Sequence, residues 1–408
     1  MSNITQLKHL EHLEDEMLNY GVEGCKAAVS FLKELRKMLG QQESTGFMQT
    51  KWDGAPSVVC GTNPMNGLFF VGTKSVFAKT NPKLCYTHED VDAFYEGDLA
   101  VKLKTSLDYF SGLGIDGVVQ GDLLYTQTDL KSETVNGEKL YTFRPNTITY
   151  GIPVDHPIGK AARRSKIGVV FHTHYTGSYV PEMQAAAGAS VNGDSDVLVV
   201  KNDTPMNRVG FSKTEMSKFD GHVRKIERMC QICGAFLDEL VAVGGKTGDA
   251  KFHISSFLKP FFNDQIKNAR SIGNVDEAMY DMLNFYEEKT NKELAKIKTV
   301  ANLTKKRNLV YGSQNYVVEN VYKFKAMLAL YKELQKVKQM VIDKLDHLEE
   351  FRTFVQTDKG YKVTTPEGYV LHKDGSMIKF VNRLEFAYNN FTLQKLSLIH
   401  ISEPTRQP

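Results

Sequence analysis

Hydrophobic residues near the start of the chain repeat with the period of a helix. Between residues 25 and 40, five apolar side chains fall on one helical stripe: Ala28, Phe31, Leu32, Leu35 and Leu39. Gly40 then ends the pattern, as glycine often does at the end of a helix. The sequence therefore predicts helices over residues 5–40.

A strand pattern replaces the helical one at residue 46. Apolar runs broken by glycine, asparagine and proline continue to about residue 80, and Asn66-Gly67 and Asn136-Gly137 are dipeptides typical of β-hairpin turns. Apolar runs at 116–125 and 166–177 predict buried strands, whereas 87–113 has a helical pattern. We therefore expect a strand-rich region with some helical segments.

Helical periodicity returns after residue 205. Towards its end, apolar positions step by four and three residues: Val317, Val321, Phe324, Leu328 and Tyr331. Strand-like sequence resumes at residue 353, and a sheet can take its last strands from beyond an insertion. We predict an α+β fold with an N-terminal helical segment (1–45), an antiparallel core (46–205 plus 353–395) and a large helical insertion (206–352).

Composition places few limits on the function. The 408 residues are 41% hydrophobic and 24% charged, and the net charge of +3 permits an anionic partner without requiring one. No apolar run is long enough to span a bilayer, and the N-terminus lacks the apolar core of a signal peptide. The sequence thus indicates a cytoplasmic protein without a membrane partner.

The five cysteines do not form a disulfide pattern. Cys25, Cys60 and Cys85 are scattered, and only Cys230 and Cys233 form a CxxC pair, which no second pair follows. Because this pair lies in helix-like sequence, we interpret both cysteines as helix-face residues, with a metal or redox role as the alternative. No disulfide-linked partner is expected.

The strand-rich regions carry short elements with charged or aromatic residues at predicted strand ends. In chain order they are KWDG at 51–54, TKS at 73–75, QGD at 120–122, VVF at 169–171 and PEGYV at 366–370, with Lys379 in the strand that follows. Each alone has an ordinary structural explanation. The DG and EG pairs are typical of turns, and Asp122 would lie in a turn at a strand end. Lys74 would be a solvated lysine, and Phe171 would be a core residue.

Taken in order, these elements resemble those of the covalent nucleotidyltransferases, which include the ATP-dependent DNA and RNA ligases and the mRNA capping enzymes. That series runs KxDG, a basic residue after the next strand, a Gly-acid pair, an aromatic strand end, an acid-glycine pair, and a lysine-bearing strand. The resemblance covers about 46–180 and 360–386, and the chain also resembles a group of tailed-phage proteins sharing KWDGAP and PEGYV. It implies an antiparallel-sheet nucleotidyltransferase core of the ATP-grasp-like ligase adenylation type.

The resemblance implies catalytic roles for the first element. Lys51 would attack the α-phosphate of ATP and become lysyl-AMP, once neighbouring cations and partial desolvation lower its pKa. Asp53 would orient this lysine or a metal ion. Gly54 would let the backbone approach the nucleotide closely.

It also implies binding roles for the later elements. Lys74 would hold the phosphate of AMP or of a nucleic-acid 5′ end, and Phe171 would stack on adenine. Asp122 and Glu367 would bind ribose or Mg²⁺. Lys379 would neutralise the charge that develops on the transferred phosphate.

Three positions depart from the family pattern. Pro56 stands where DNA ligases usually carry the arginine of KxDGxR, Val381 replaces a second lysine, and His172 follows Phe171 where an acid is usual. These departures favour an RNA-ligase-like branch. We interpret His172 and His174 as hydrogen-bonding strand-end residues, because no carboxylate or third ligand lies near them in sequence.

The sequence therefore predicts an ATP-dependent, RNA-ligase-like polynucleotide ligase that transfers AMP from lysyl-AMP to a 5′-phosphate. Its cofactors would be ATP and Mg²⁺, and its partners RNA or DNA ends. The basic stretches at 159–166 and 303–308 would follow the phosphate backbone, unless they are solvated loops. The alternatives are a nucleotidyltransferase that modifies an RNA end or a protein without sealing, and an inactive protein that binds nucleic acid or a phage partner.

The last residues have a different origin. Residues 396–408, LSLIHISEPTRQP, resemble the translated end of a sequencing adapter. We interpret this tail as non-native read-through that replaces the natural sequence beyond residue 395.

Overall fold

The computed structural model describes residues 10–242, 248–348, 351–357, 360–364 and 367–385. The chain has a mixed α+β fold in which nearly all strand pairs are antiparallel. The predicted tail at 396–408 and residues 386–395 of the predicted core lie outside the described residues. The strands are β1 (Phe47–Lys51), β2 (Ser57–Thr62), β3 (Phe69–Gly72), β4 (Val118–Thr126), β5 (Lys131–Val135), β6 (Glu138–Phe143), β7 (Thr149–Pro153), β8 (Ile167–Thr176), β9 (Gln184–Ala187), β10 (Val197–Val199), β11 (Arg352–Thr357), β12 (Gly360–Val363), β13 (Gly368–Lys373) and β14 (Ser376–Phe380).

The helices concentrate in the second half of the chain. They are α1 (Glu16–Leu39), α2 (His88–Phe94), α3 (Gly97–Phe110), α4 (Pro157–Arg164), α5 (Lys213–Ala242), α6 (Ala250–Ser255), α7 (Leu258–Lys267), α8 (Val275–Leu294), α9 (Val300–Glu319) and α10 (Val321–Leu345). None of the described helices combines the length and the apolar character that crossing a membrane requires.

The chain divides into two compact units. Among the described residues, a strand-rich unit contains residue 10, 47–204 and 348–376, and a helical unit contains 11–46, 205–347 and the chain from 377 onward. The predicted N-terminal segment is therefore not separate, because α1 packs along α5 and buries its apolar stripe there. Arg36 of α1 also forms an ion pair with Asp220 of α5 at 2.6 Å.

The central sheet of the strand-rich unit has the strand order β10-β8-β4-β2-β3, with β9 also paired to β8. Helices α2 and α3 cover one face and form a core with the strands, in which Val91, Leu103 and Phe110 meet Val58 and Phe171. The opposite face carries polar residues near one end of the sheet, among them Ser57 and Asp122.

Strands from both sides of the helical stretch share sheets in the strand-rich unit. β13 pairs antiparallel with β1, and β11 pairs antiparallel with β7 in the sheet β12-β11-β7-β6-β5. The hairpin predicted at Asn136-Gly137 is confirmed: it joins β5 to β6, with φ angles of 51° and 84° that suit asparagine and glycine.

The helical pattern around residue 320 differs from the sequence expectation. The apolar residues that step by four and three are not on one helix, because Asn320 leaves the helical conformation between α9 and α10 (φ −115°, ψ 20°). The Asn320 side chain instead donates a hydrogen bond to the carbonyl of Tyr316 at 2.9 Å. Side chains of asparagine compete in this way with helix continuation.

Candidate functional site

A lysine–glutamate ion pair lies at the end of the β1–β13 ladder. The antiparallel register sets Lys51 opposite Gly368, and the Nζ of Lys51 donates a hydrogen bond to Glu367, the residue just before β13. The side chains of Lys51 and Glu367 are 26% and 11% exposed. The two residues are 316 positions apart in sequence, so the pairing of β1 with β13 is what brings them together.

The Asp53 carboxylate anchors a loop. It is 4% exposed and accepts hydrogen bonds from Asn146 Nδ2 (2.8 Å) and from the backbone N–H groups of Thr147 and Ile148 (2.7 Å each). Burial raises the pKa of Asp53, while these hydrogen bonds and the nearby Lys51 oppose the rise. This role differs from the predicted contact with a metal ion or the nucleophile, because the carboxylate is already surrounded by donors.

Gly54 lies where the connection between β1 and β2 crosses β4. A Cβ here would come within 2.6 Å of the Asp122 Cβ and 3.0 Å of the Leu123 carbonyl oxygen. The N–H of Ala55 donates to the same carbonyl at 2.9 Å. The close contact with β4 therefore explains why residue 54 is glycine. The family resemblance had instead suggested close approach to a nucleotide. The contact also fixes Asp122 beside the segment that follows Lys51.

The strand registers gather several polar residues at one end of the central sheet. Ser57 on β2 pairs with Asp122 on β4, and Asp122 pairs with Val170 on β8. Lys74 follows β3 at the same end, since the last residue of β3 pairs with Val59 near the start of β2. Lys74 is exposed and has no ion-pair partner in the part of the chain that the structure describes.

Phe171 lies on the other face of this sheet. It is 2% exposed, and its ring is 5.6 Å from that of Phe110, within the core that α2 and α3 cover. Asp122 pairs with Val170, so the next residue, Phe171, points to the opposite face. The expectation that Phe171 stacks on adenine therefore conflicts with the structure, which makes it a core residue.

His172 lies on the same face of the sheet as Asp122, because Val170 pairs with Asp122 and side chains alternate along β8. The β4–β8 register shifts between Gln120 and Gly121, which leaves His172 as an extra residue in β8. Its Nε2 lies 3.6 Å from the Oδ1 of Asp122, and its Nδ1 lies 2.8 Å from the Thr173 hydroxyl oxygen. Asp122 belongs to a different strand, so this carboxylate is not near His172 in sequence although it is near in space.

His372 is a second imidazole, buried on β13. The register pairs it with Phe47, on whose ring it stacks at 4.5 Å, and alternation along β1 places both on the same face as Lys51. It is 8% exposed, and its Nε2 has no hydrogen-bond partner within the described ranges. Burial, with a further contribution from the charge of His172, lowers the pKa of His372 to about 4. The imidazole is therefore neutral at pH 7.

We expect the protein to lose stability as acid titrates this histidine. The ordinary pKa is 6.5 and the folded pKa is about 4, so the unfolded chain binds more protons between these pH values and stability falls as the pH falls through them. His372→Phe should remove this contribution, which amounts to at most about 3 kcal/mol. The free energy of unfolding is measured by urea titration at several pH values, followed by the fluorescence of Trp52, the single tryptophan.

The matched control is His174→Phe, because His174 is partly exposed on β8 and forms no ion pair with the described residues. This variant should keep the wild-type dependence of stability on pH. If His372→Phe also kept the wild-type dependence of stability on pH, His372 would not be its cause.

Lys379 lies in β14, within the helical unit. Its backbone N–H donates a hydrogen bond to the carbonyl of Glu11 at 2.9 Å, and the backbones of His12 and Lys379 pair in parallel as a single β-bridge. The predicted contact of its side chain with a phosphate stays a prediction.

The Asp122 carboxylate suits a metal ion that is also bound by a substrate. Within the described residues, no group of three or more His, Cys, Asp or Glu side chains is arranged to hold a metal ion. Mg²⁺, however, is usually held by one or two carboxylates together with substrate phosphates and water. Asp122 fits this pattern, because its side chain is 25% exposed and His172 approaches it only at 3.6 Å.

Two parts of this site escaped the sequence reasoning. The loop at 146–148 supports Asp53, and its only local signal is a short polar turn between β6 and β7. His372 had a clearer signal, because strand alternation through PEGYVLHK places residues 368, 370 and 372 on the face that carries Lys51.

Comparison with known proteins identifies a family and no activity. The family described as "Family of unknown function (DUF6267)" matches residues 3–395, so the chain belongs to this family. No curated protein and no solved structure matches the chain. A function must therefore be inferred from the site itself.

Proposed function

We propose that the chain is an ATP-dependent, RNA-ligase-like polynucleotide ligase that acts through lysyl-AMP on Lys51. The observation that carries this proposal is the ion pair between Lys51 and Glu367. The ladder holds a partly buried lysine nitrogen against a carboxylate supplied by a distant strand. Such a fixed amine at a strand end, beside a polar sheet face, suits a nucleophile better than a solvated surface lysine.

The first step would join Lys51 to AMP. The Nζ of Lys51 bonds to the α-phosphorus of ATP, the bond from that phosphorus to the bridging oxygen breaks, and pyrophosphate leaves. Because a protonated amine cannot attack, the nitrogen must lose its proton. Glu367 accepts a hydrogen bond from this nitrogen, so it both fixes the position of the amine and offers the proton an acceptor.

The polar end of the central sheet would hold the phosphates. Asp122, together with Glu367, would bind Mg²⁺, which supplies positive charge to phosphate oxygens when it is bound. Lys74 is an exposed cation at the same end of the sheet, and no described residue forms an ion pair with it. Placed against a phosphate, such a cation stabilises the charge of the transition state.

The later steps would use a nucleic-acid end. AMP passes from Lys51 to a 5′-phosphate as the phosphorus–nitrogen bond breaks, and a 3′-hydroxyl then attacks that phosphate and releases AMP. The strand-rich unit offers a basic surface for the backbone on α4, where Lys160, Arg163 and Arg164 are exposed and have no ion-pair partner in the described chain.

The test is covalent labelling with α-labelled ATP and Mg²⁺. An acid-labile label that stays on the protein in a denaturing gel supports the proposed transfer. Addition of 5′-phosphorylated RNA or DNA with a 3′-hydroxyl end then distinguishes a sealed product from a merely adenylylated end. Absence of any label on the protein would contradict the proposal and favour a binding protein.

We expect Glu367→Ala to slow lysyl-AMP formation by about a hundredfold or more, since loss of one fixed electrostatic contact costs this much in other enzymes. The rate of labelling is measured at saturating ATP. Glu138→Ala is the matched control, because Glu138 pairs with Arg352 at an exposed position of the same unit, with a side chain 41% exposed. Equal labelling rates for the two variants would show that Glu367 does not contribute to lysyl-AMP formation.

A further inference from the structure

Three of the five cysteines meet between α1 and α5 in the helical unit. Cys25 lies on α1, and Cys230 and Cys233 lie on α5. The Cys25 thiol hydrogen-bonds to the sulfur of Cys230, and Cys233 lies close enough to affect the titration of Cys25. Cys60 and Cys85 are buried in the core of the strand-rich unit. We refer to Cys25, Cys230 and Cys233 as the cysteine cluster.

Contacts on both sides of the cysteine cluster fix the register of the two helices. On one side, the N–H of Val22 donates to Asp238 Oδ1 at 2.8 Å. On the other side, Arg36 pairs with Asp220 at 2.6 Å. From the first contact to the second, the residue number increases along α1 and decreases along α5, so the two helices run antiparallel. The cysteine cluster lies between these two contacts along the helix pair.

Glycines let the two helices approach closely beside the cluster. A Cβ on Gly21 would lie 3.2 Å from the Cα of Asp238, and a Cβ on Gly234 would lie 2.7 Å from the Cγ2 of Val22. A disulfide needs Cα atoms only roughly 4.4–6.8 Å apart. The close approach of the α1 backbone to the Asp238 backbone at Gly21, four residues before Cys25, is compatible with such a separation beside the cluster.

The thiols of Cys25 and Cys230 differ in reactivity. Cys25 is 1% exposed, whereas Cys230 is partly exposed to solvent. The hydrogen bond between them lowers the pKa of Cys230 and raises the pKa of Cys25. Cys230 therefore has the greater thiolate character and is the one that an oxidant can reach.

We propose that Cys230 and Cys25 form a reversible disulfide that links α5 to α1, with a hydroperoxide as the oxidant. The Cys230 thiolate attacks hydrogen peroxide: an S–O bond forms and the O–O bond breaks, which gives a sulfenic acid and hydroxide, and the hydroxide takes a proton from solvent to become water. The Cys25 thiol then attacks this sulfur, the S–S bond forms, the S–O bond breaks, and a second water leaves. The two thiols lose two electrons, which the peroxide accepts, and a thiol reductant reverses the reaction.

The bond would constrain the chain between residues 25 and 230. Crosslinks that close long loops stabilise mainly by restricting the unfolded chain, so oxidation should raise the unfolding temperature of the helical unit. This inference does not rest on the proposed function, and the ATP-labelling assay does not report on it.

The test is disulfide mapping of the full-length protein. Trypsin places Cys25 in the peptide 9–26, and Cys230 and Cys233 together in the peptide 229–246. After treatment with hydrogen peroxide, blocking of free thiols and digestion without reductant, mass spectrometry should detect these two peptides joined. The link should disappear with dithiothreitol and in Cys230→Ser, yet persist in Cys233→Ser and in the control Cys85→Ser.

Two results would overturn the proposal. One is wild-type protein without the joined peptides at peroxide levels that oxidise Cys230. The other is a link that persists in Cys230→Ser and disappears in Cys233→Ser, which would assign the partner of Cys25 to Cys233. Neither result depends on replacing the buried Cys25, and circular dichroism verifies that the two serine variants keep their helices.

Discussion

Replacing Lys51 with alanine or arginine is expected to abolish covalent labelling of the chain by α-labelled ATP while the protein stays folded. Alanine removes the nucleophile. Arginine keeps a positive charge beside Glu367 but stays protonated at any ordinary pH, so it cannot attack phosphorus. The arginine variant is the sharper test, because the buried Glu367 carboxylate retains a partner. Labelling is measured on a denaturing gel after incubation with Mg²⁺.

The matched control for this prediction is Lys131→Arg, at the exposed first residue of β5. It should be labelled like the wild-type protein, and the fluorescence of the single tryptophan, Trp52, verifies the fold of each variant. Undiminished labelling of either Lys51 variant would exclude Lys51 as the nucleophile and end the proposed function.

Phe171→Ala is expected to destabilise the strand-rich unit by about 3–5 kcal/mol, as replacement of a fully buried phenylalanine does in other cores. Phe171 packs on Phe110 between the central sheet and α3, and alanine would leave a cavity there. The free energy of unfolding is measured by urea titration and followed by Trp52, which is 8% exposed in the same unit.

Phe94→Ala provides the comparison, because Phe94 is 41% exposed on α2. Its effect on stability should be about 0.5 kcal/mol or less. Suppose instead that Phe171→Ala keeps wild-type stability and only raises the apparent KM for ATP in the labelling assay. The base-stacking role implied by the family resemblance would then be right, and the position of Phe171 in the core wrong.

The local features of the fold were predictable because they depend on neighbouring residues. The Asn136-Gly137 turn forms where two adjacent residues tolerate positive φ. The apolar stripe of α1 is buried as its period indicated. The helix break at Asn320 was missed, because the apolar period continues through it and conceals a single non-helical residue.

The candidate site was predictable only in part. The resemblance pointed to both Lys51 and Glu367, which the structure brings together. It also assigned Phe171 to a nucleotide, although strand alternation leaves open which face of a sheet meets a helix and which faces a site. The approach of His172 to Asp122 depends on the pairing of β8 with β4, which leaves no distinct mark in the sequence of either strand.

The sequence by itself determined the kinds of elements, the turns between neighbouring strands and the residue types available for chemistry, because these depend on backbone preferences over a few residues. Tertiary structure alone decided which strand lies beside which, and in what register. Pairing β1 with β13 places Glu367 against Lys51, and pairing β4 with β8 sends Phe171 into the core and Asp122 to the opposite face. A shift of one residue in either ladder would exchange the faces. Packing of the whole sheet against its helices, and not any short segment, determines the register.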